Sequence, residues 1–214
     1  MRPANEALLI IDIQNDFCPG GAMAVPEGNA IIPGVAKLAA QFDTVVLAQD
    51  WHPAGHTSFA STHQAEPFST YAASYGEQTL WPDHCIQGSA GADFHPDLYE
   101  AGVVERARRI VRKGTNPAVD SYSAFFENDR TTPTGLEGWL RQRDISHLFL
   151  CGLATDFCVA WSALDAVGLG FAVTIVLDAC KGIGLADADG QTTIDTARRR
   201  LTEAGVAFVN SDDV

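Results

Sequence analysis

Short apolar runs alternate with longer amphipathic stretches along the chain. Six runs are rich in aliphatic residues and have the length of strands: ALLIIDI, TVVLAQD, RIVRK, HLFLC, AVTIVLD and VAFV. Stretches with helical spacing lie between several of them: NAIIPGVAKLAAQF, GLEGWLRQRD and TTIDTARRRLTEAG. Nearly continuous apolar strands separated by helices are typical of a parallel sheet covered on both faces. The pattern predicts an α/β fold, a three-layer, doubly wound six-stranded parallel sheet with helices on both faces.

One connection, at about residues 51–105, interrupts this alternation. It shows no sustained period of helix or strand, and it holds five of the six histidines. Long irregular connections in compact domains are usually functional. No tract of glycine, proline or serine is long enough to be a linker. We therefore expect a single domain over residues 1–214, in which this long loop region contributes a site.

The charge of the chain narrows the range of partners. The formal net charge is -13, which repels phosphate backbones and anionic lipid, so we expect neither a nucleic acid nor a membrane partner. A small neutral substrate fits better. Only Arg2 is basic before the first strand, and no apolar run approaches the roughly 18 residues of a membrane span, so we expect a cytoplasmic protein. Charge leaves open whether the chain forms a homo-oligomer.

Five cysteines, too sparse for a disulfide scaffold, show no metal-type pair spacing and are expected to be reduced: Cys18, Cys85, Cys151, Cys158 and Cys180. Cys158 differs from the others because GLATDFC follows an apolar run and leads into the helical VAWSALDAV. A thiol in the first turn of a helix meets unpaired N–H groups and the positive end of the helix dipole. That setting favours the thiolate, which is the nucleophilic form.

Polar residues close the apolar runs. Asp12, Asp50 and Lys113 end the first three runs, and the Cys158 turn follows the fourth. Ligands of open parallel sheets bind beyond the carboxyl ends of the strands, so these side chains are expected to converge on one crevice. Each has an ordinary alternative, since an aspartate after a strand is often a turn former or cap, a lysine is often solvated, and a free cysteine often only packs. A desolvated Lys113 beside Asp12 and Cys158 would nevertheless hold these two acidic groups ionised or sharing a proton, as an activated thiol requires.

A second group of polar residues begins in QDWHPAGH. Asp50 and His52 are two residues apart, which places both side chains on one face of an extended segment. His84, in WPDHC, would supply a third ligand, and the set would suit zinc, iron or manganese with a position left open. Spacing alone leaves other residues of the loop as alternatives: His56, His63 and His95, with Asp83 as either a turn residue or a ligand.

Longer motifs carry a resemblance to a known family. The stretches are IIDIQNDFCPGGAM, AQDWHPAGHTSFA, WPDHCIQGS, RKGTNPAVDSYSAFF, GLATDFCVAWSALDA and LDAC, in the family's order. Through these motifs the chain resembles the nicotinamidases, also called pyrazinamidases, of the isochorismatase-like cysteine hydrolases. The resemblance implies a six-stranded parallel sheet and a cysteine amidohydrolase that converts nicotinamide to nicotinate and ammonia in NAD salvage, and pyrazinamide to pyrazinoate.

The resemblance also implies roles for single residues. The catalytic triad falls on Asp12, Lys113 and Cys158, with a thioester on the cysteine. The oxyanion would be bound by the backbone N–H groups of Ala154 and Cys158, with a cis peptide between Leu153 and Ala154.

The family's ligands for one divalent metal fall on Asp50, His52 and His84. Zinc is the first expectation for this metal, with iron or manganese as alternatives, and it would take the pyridine nitrogen of the substrate. The resemblance leaves a fourth ligand open.

Aromatic residues near these positions are expected to hold the substrate ring. Phe17 follows the Asp12 strand, Trp81 precedes His84, and Tyr122 follows Lys113. Aromatic residues are more often core than ligand contacts, so the resemblance carries this assignment. Thr155 and Asp156 are expected to cap the helix that bears the cysteine.

Three other functions compete with this interpretation. A metal-free amidase of the same superfamily would act on a ureido or carbamoyl compound or on isochorismate. A non-haem metal enzyme would use two histidines and a carboxylate but would have no need of a cysteine, aspartate and lysine set. A binding protein without catalytic activity would tolerate the loss of Cys158.

Overall fold

Eight strands build the sheets of the protein in this computed structural model, which describes residues 1–186 and 189–214. Six of them are β1 (Glu6–Ile11), β2 (Thr44–Asp50), β5 (Arg109–Lys113), β6 (His147–Leu153), β7 (Ala172–Lys181) and β8 (Ala207–Val209). These six form one parallel sheet in the order β5-β2-β1-β6-β7-β8. The remaining two, β3 (Thr70–Ala73) and β4 (Gly76–Thr79), pair as an antiparallel hairpin.

In the described residues six α-helices accompany the sheet: α1 (Ile32–Ala39), α2 (Pro96–Glu100), α3 (Val103–Arg106), α4 (Leu136–Arg141), α5 (Ala160–Gly168) and α6 (Thr193–Glu203). From β1 the chain steps outward to β2 and β5, whereas from β6 it steps the other way to β7 and β8. Crossover connections between parallel strands are right-handed, so helices that connect strands in opposite directions along the sheet lie on opposite faces of it. Contacts agree, since α1 packs on α2 and α3 while α5 packs on α6. The predicted doubly wound six-stranded fold is confirmed.

The central strand explains the apolar runs. Residues 7–11 of β1 are all buried, with exposures of 1% or less, and β1 is flanked by β2 and β6 on its two edges. A strand covered on both faces has no solvent side, so each of its positions is apolar rather than every second one.

The long connection is more ordered than expected. Within residues 51–105, which show no sustained period in the sequence, the structure contains the β3–β4 hairpin and the helices α2 and α3. The hairpin is polar and mostly exposed, so it lacks the alternation that marks a strand with one buried face. The two helices have only five and four residues, too few for a helical period to show.

No helix in the described part of the chain has both the length and the apolar character needed to cross a membrane.

A glycine permits the close approach of the two central strands. Gly152 of β6 pairs with Ile11 of β1 and has a φ of +118°. A Cβ built at Gly152 would lie 2.1 Å from the carbonyl oxygen of Ile11. This contact lies between β1 and β6, the parallel pair at which the order of strand addition reverses, and ligands of open α/β sheets bind beyond the carboxyl ends of the strands at such a point.

Replacing Gly152 should therefore be costly. Gly152→Ala is expected to lower the free energy of unfolding by about 3 kcal/mol, since it combines an unfavourable φ with overpacking against backbone. Urea unfolding would measure the change. Gly168→Ala, at the end of α5 where a Cβ meets no atom within 4 Å, is the matched control and should leave stability equal or higher. Equal effects of the two substitutions would contradict this account.

Candidate active site

The sheet register places four polar side chains at one edge. Asp50 and Lys113 are the last residues of β2 and β5 and are paired in register, so their side chains share a face. Asp12 follows β1 directly, and its backbone N–H donates to the carbonyl oxygen of Ala48 at 3.2 Å. Cys158 lies in the turn after β6. The predicted convergence of these strand ends is seen in the structure.

The Lys113 ammonium is the centre of this group. It is 2% exposed, and its Nζ lies 2.8 Å from Asp12 Oδ2 and 3.4 Å from Cys158 Sγ. The same Nζ donates to Asp50 Oδ1, a contact that sequence reasoning did not anticipate. Burial by itself would lower the pKa of Lys113, but the two carboxylates outweigh it and hold the pKa well above its usual value. The lysine therefore stays charged.

The carboxyl and the thiol beside it are both pushed toward their neutral forms. Burial raises the pKa of Asp12 to about 7, with Asp50 adding to the rise and Lys113 opposing it. Burial also raises the pKa of Cys158 well above its usual value, against the effect of Lys113. The expectation of a resting thiolate is thus wrong, because desolvation outweighs the favourable charge. The Asp12 carboxyl and the Cys158 thiol are within hydrogen-bonding reach of each other, so Asp12 in its ionised form is placed to accept the thiol proton.

A single turn of π-helix, Thr155–Val159, carries the cysteine. The peptide bond between Leu153 and Ala154 is cis, as the resemblance implied. Ala154 is the N-cap, and its carbonyl oxygen accepts from the N–H groups of Phe157 and Val159 at 3.1 Å each.

The prediction that Thr155 and Asp156 cap this helix is wrong, because the turn has no side-chain cap. The Asp156 carboxylate instead accepts from the backbone of Ile183 and Gly184.

The three residues expected to bind a metal form a buried group. Asp50 Oδ2 lies 3.6 Å from His52 Nε2 and 3.9 Å from His84 Nε2. The Nδ1 atom of each imidazole ring hydrogen-bonds a backbone carbonyl oxygen. His52 Nδ1 bonds that of Gly114 at 3.0 Å, and His84 Nδ1 bonds that of Pro82 at 2.7 Å. Such bonds place the proton on Nδ1 and direct the Nε2 lone pair at the site. This donor set fits a divalent metal.

The other candidate ligands are engaged elsewhere. His56 uses both ring nitrogens, on the Ser58 hydroxyl at 2.7 Å and the Asn116 carbonyl oxygen at 2.9 Å. His63 bonds the carbonyl oxygen of Thr57, and His95 accepts from the backbone N–H of Asp97 at the start of α2. Asp83 is exposed and accepts from the Ser61 hydroxyl. Of the alternatives open in the sequence, the structure favours His84.

A narrow pocket joins the two groups. Its lining includes Asp50 and His84 on one side and Ala154 and Cys158 on the other, together with residues that enclose them: Phe17, Met23, Trp81, Asp120, Tyr122, Phe157 and Ile183. All three aromatic residues expected to hold the substrate ring are therefore present in the wall. The Tyr122 hydroxyl accepts from Trp81 Nε1 at 3.1 Å and from Gln78 Nε2 at 3.0 Å, which fixes the two rings relative to each other.

Most of the chain matches a known protein family. The family model described as the isochorismatase domain matches residues 6–205. The chain belongs to the isochorismatase family. It is 44% identical to a nicotinamidase of Acinetobacter baylyi over 100% of the chain and 97% of that protein.

Solved structures of the family agree in fold. A nicotinamidase/pyrazinamidase of Acinetobacter baumanii has a TM-score of 0.93 and 48% identity, with 100% and 99% of the two chains covered. A pyrazinamidase of Pyrococcus horikoshii, described in complex with zinc, has a TM-score of 0.74 and 33% identity over 96% of this chain and 99% of its own.

Several lining residues of this isochorismatase-family pocket were missed in the sequence. Phe157 stands beside the cysteine and packs edge-on to Trp81, with ring centroids 5.0 Å apart. The motif GLATDFC contains it, but a phenylalanine is more often a core residue than a ligand contact. Asp120 is 2% exposed and accepts from Gln78 Nε2 at 2.9 Å. Nothing in the sequence around Met23 and Ile183 indicates a role in binding, because only folding brings these two side chains to the pocket.

Because the pKa of Asp12 is raised in the folded protein, the free energy of unfolding of the metal-free protein should depend on pH. Between pH 3.8 and about 7 the folded protein keeps a proton on Asp12 that the unfolded chain has lost. Stability contributed by this group therefore falls as pH rises through that window. Asp12→Asn cannot titrate, so its unfolding free energy minus that of the wild type should increase from pH 4 to pH 7 and then level off. Urea unfolding at stepped pH measures this difference, and a difference that declines with pH would refute the assignment.

Proposed function

We propose that the protein is a metal-containing nicotinamidase, a cysteine amidohydrolase that converts nicotinamide to nicotinate and ammonia in NAD salvage and also hydrolyses pyrazinamide to pyrazinoate. Residues 1–214 act in this as one domain. The observation that carries the proposal is that Cys158 and two of the candidate metal ligands, Asp50 and His84, line one pocket. Lys113 joins the two clusters, because it contacts both Asp12 and Asp50. The nicotinamidase relatives supply the substrate class.

The chemistry begins at the cysteine. Asp12 accepts the thiol proton of Cys158 as the sulfur attacks the carboxamide carbon, so that the charged form of the thiol exists only during attack. Lys113 stabilises the charge of the cluster and orients Asp12. The backbone N–H groups of Ala154 and Cys158 bind the developing oxyanion. Asp12 then passes its proton to the leaving ammonia, and afterwards it activates the water that cleaves the thioester.

The metal site positions the substrate. Asp50, His52 and His84 would hold one divalent ion, with zinc first because the related pyrazinamidase of Pyrococcus horikoshii is described with it, and iron or manganese as alternatives. When bound, the ion would supply a Lewis acid for the ring nitrogen of the substrate. Phe17, Trp81, Tyr122 and Phe157 enclose the aromatic ring.

Ammonia release from nicotinamide is the decisive measurement. The wild type loaded with zinc should release ammonia, and Cys158→Ala should lose at least about 10³-fold in kcat because it removes the nucleophile. Stripping the metal should abolish turnover, and adding zinc, iron or manganese should restore it. Turnover that survives removal of the thiol would refute the mechanism. No release by the loaded wild type would point to the metal-free amidases that act on ureido or carbamoyl compounds.

The metal assignment makes a separate prediction. His84→Ala should retain less metal after dialysis, measured by elemental analysis, and should raise KM for nicotinamide. Removal of one ligand should weaken metal binding by about tenfold or more. The rate of alkylation of Cys158 should change little, since His84 does not contact the thiol in the described structure. His63→Ala is the matched control and should keep its metal. Normal metal content in His84→Ala would show that the ligand set is different.

A further inference from the structure

The carboxylate of Asp156 lies two residues before the nucleophile but takes no part in the chemistry above. Its side chain is buried, with the residue 6% exposed. Oδ1 accepts from the backbone N–H of Ile183 at 3.0 Å, and Oδ2 accepts from that of Gly184 at 2.9 Å. The hydroxyl of Thr193, the first residue of α6, also donates to Oδ2. One carboxylate thus fixes the segment after β7 to the start of α6.

The segment that Asp156 holds separates two cavities. Ile183 lines the pocket that contains Cys158. Leu185 lines a second cavity, between α5 and α6, whose wall includes Trp161 and Arg200. Phe157 lines both cavities. Residues 183–185 and Phe157, which we call the partition, therefore close the active pocket on this side.

Further contacts attach the partition to the start of α6. Thr193 and Leu185 exchange two hydrogen bonds, from the Thr193 N–H to the Leu185 carbonyl oxygen at 2.9 Å and from the Leu185 N–H to the Thr193 hydroxyl at 3.0 Å. A Cβ at Gly182 would lie 2.8 Å from Ile194 Cδ1 and 3.0 Å from Asp156 Oδ1. The chain before Ile183 is therefore pressed against both Asp156 and α6.

We propose that Asp156 is a positioning residue that holds Ile183 in the pocket wall and thereby limits the size of the aromatic amide that the pocket accepts. The inference rests on the proposed function. A carboxylate suits this role because it can accept on both oxygens, and hydrogen bonds to a charged acceptor are stronger than neutral ones. An amide has only one accepting oxygen, so Asp156→Asn places an NH₂ group against an N–H or O–H donor.

Kinetics of Asp156→Asn test the role. KM for nicotinamide should rise about tenfold, the effect expected for losing a hydrogen bond to a charged group, while kcat stays within about twofold because the nucleophile and its base are untouched. Selectivity for the larger quinoline-3-carboxamide over nicotinamide should rise by about the same factor. Ile183→Ala should shift selectivity in the same direction. The double variant should show less than the sum of the two effects, since both act through one side chain.

Two further variants serve as comparisons. Thr193→Val removes one donor to Asp156 and should give a smaller shift in the same direction. Asp165→Asn alters another buried carboxylate, on α5, which pairs with Arg130 at 2.6 Å and is not part of the partition. It should leave KM and selectivity unchanged.

Hydrogen exchange provides a readout that needs no turnover. In Asp156→Asn the amide protons of Ile183 and Gly184 should exchange about tenfold faster or more, while amides of β1 and β6 keep their protection. Unchanged exchange at these two amides would overturn the positioning role, even if nicotinamide proves not to be the substrate. Equal losses in kcat and in Cys158 alkylation would also overturn it, because Asp156 would then act on the nucleophile turn. Absence of turnover in the wild type would defeat the proposed function alone.

Discussion

The buried ammonium of Lys113 is the interaction on which the rest of the site depends. A charge removed from water is tolerated only when it is paired and hydrogen-bonded, and here the partners are Asp12 and Asp50, from two different strand ends. The pairing exists only while β1, β2 and β5 keep their register. Sheet geometry and catalytic geometry are therefore the same constraint, and a slip of any of these strands would leave a charge buried without a partner.

The walls of the pocket come from chain outside the sheet. His84 and Trp81 lie on the long connection, and Tyr122 follows β5. Gln78 ties the exposed hairpin to them, since it is 1% exposed and donates to both Asp120 and the Tyr122 hydroxyl. A mostly exposed hairpin is thus tied to the pocket through the buried amide of Gln78 and the hydroxyl of Tyr75, which accepts from the backbone N–H of Asp120. The charged residues therefore lie at the ends of the sheet strands, whereas aromatic walls of the pocket lie on connections, the part of a fold that best tolerates sequence change.

The sheet and the strand-end residues could be predicted because each rests on a strong local signal. Apolar runs mark buried strands, and the topology of open α/β sheets brings their carboxyl ends together. The predictions that were wrong concern properties set by the tertiary surroundings of a residue. Asp156 has the position of a cap but bonds a distant segment, because Ile183 and Gly184 offer it backbone donors. The charge state of Cys158 was predicted wrongly, since desolvation is not visible in a motif. The choice of His84 over the other histidines as the third metal ligand depends on the hydrogen-bond partners of His56, His63 and His95, which the sequence does not show.

The burial of the Cys158 thiol and its raised pKa affect how readily the protein is oxidised. Peroxides attack the thiolate, and the first step of cysteine oxidation is controlled by how much of it is present and how exposed it is. Cys158 is 7% exposed and its pKa is held well above the usual value. In the proposed mechanism Cys158 would be charged only while an amide lies beside it, so the burial that lowers the reactivity of the thiol would also protect it from peroxide between turnovers.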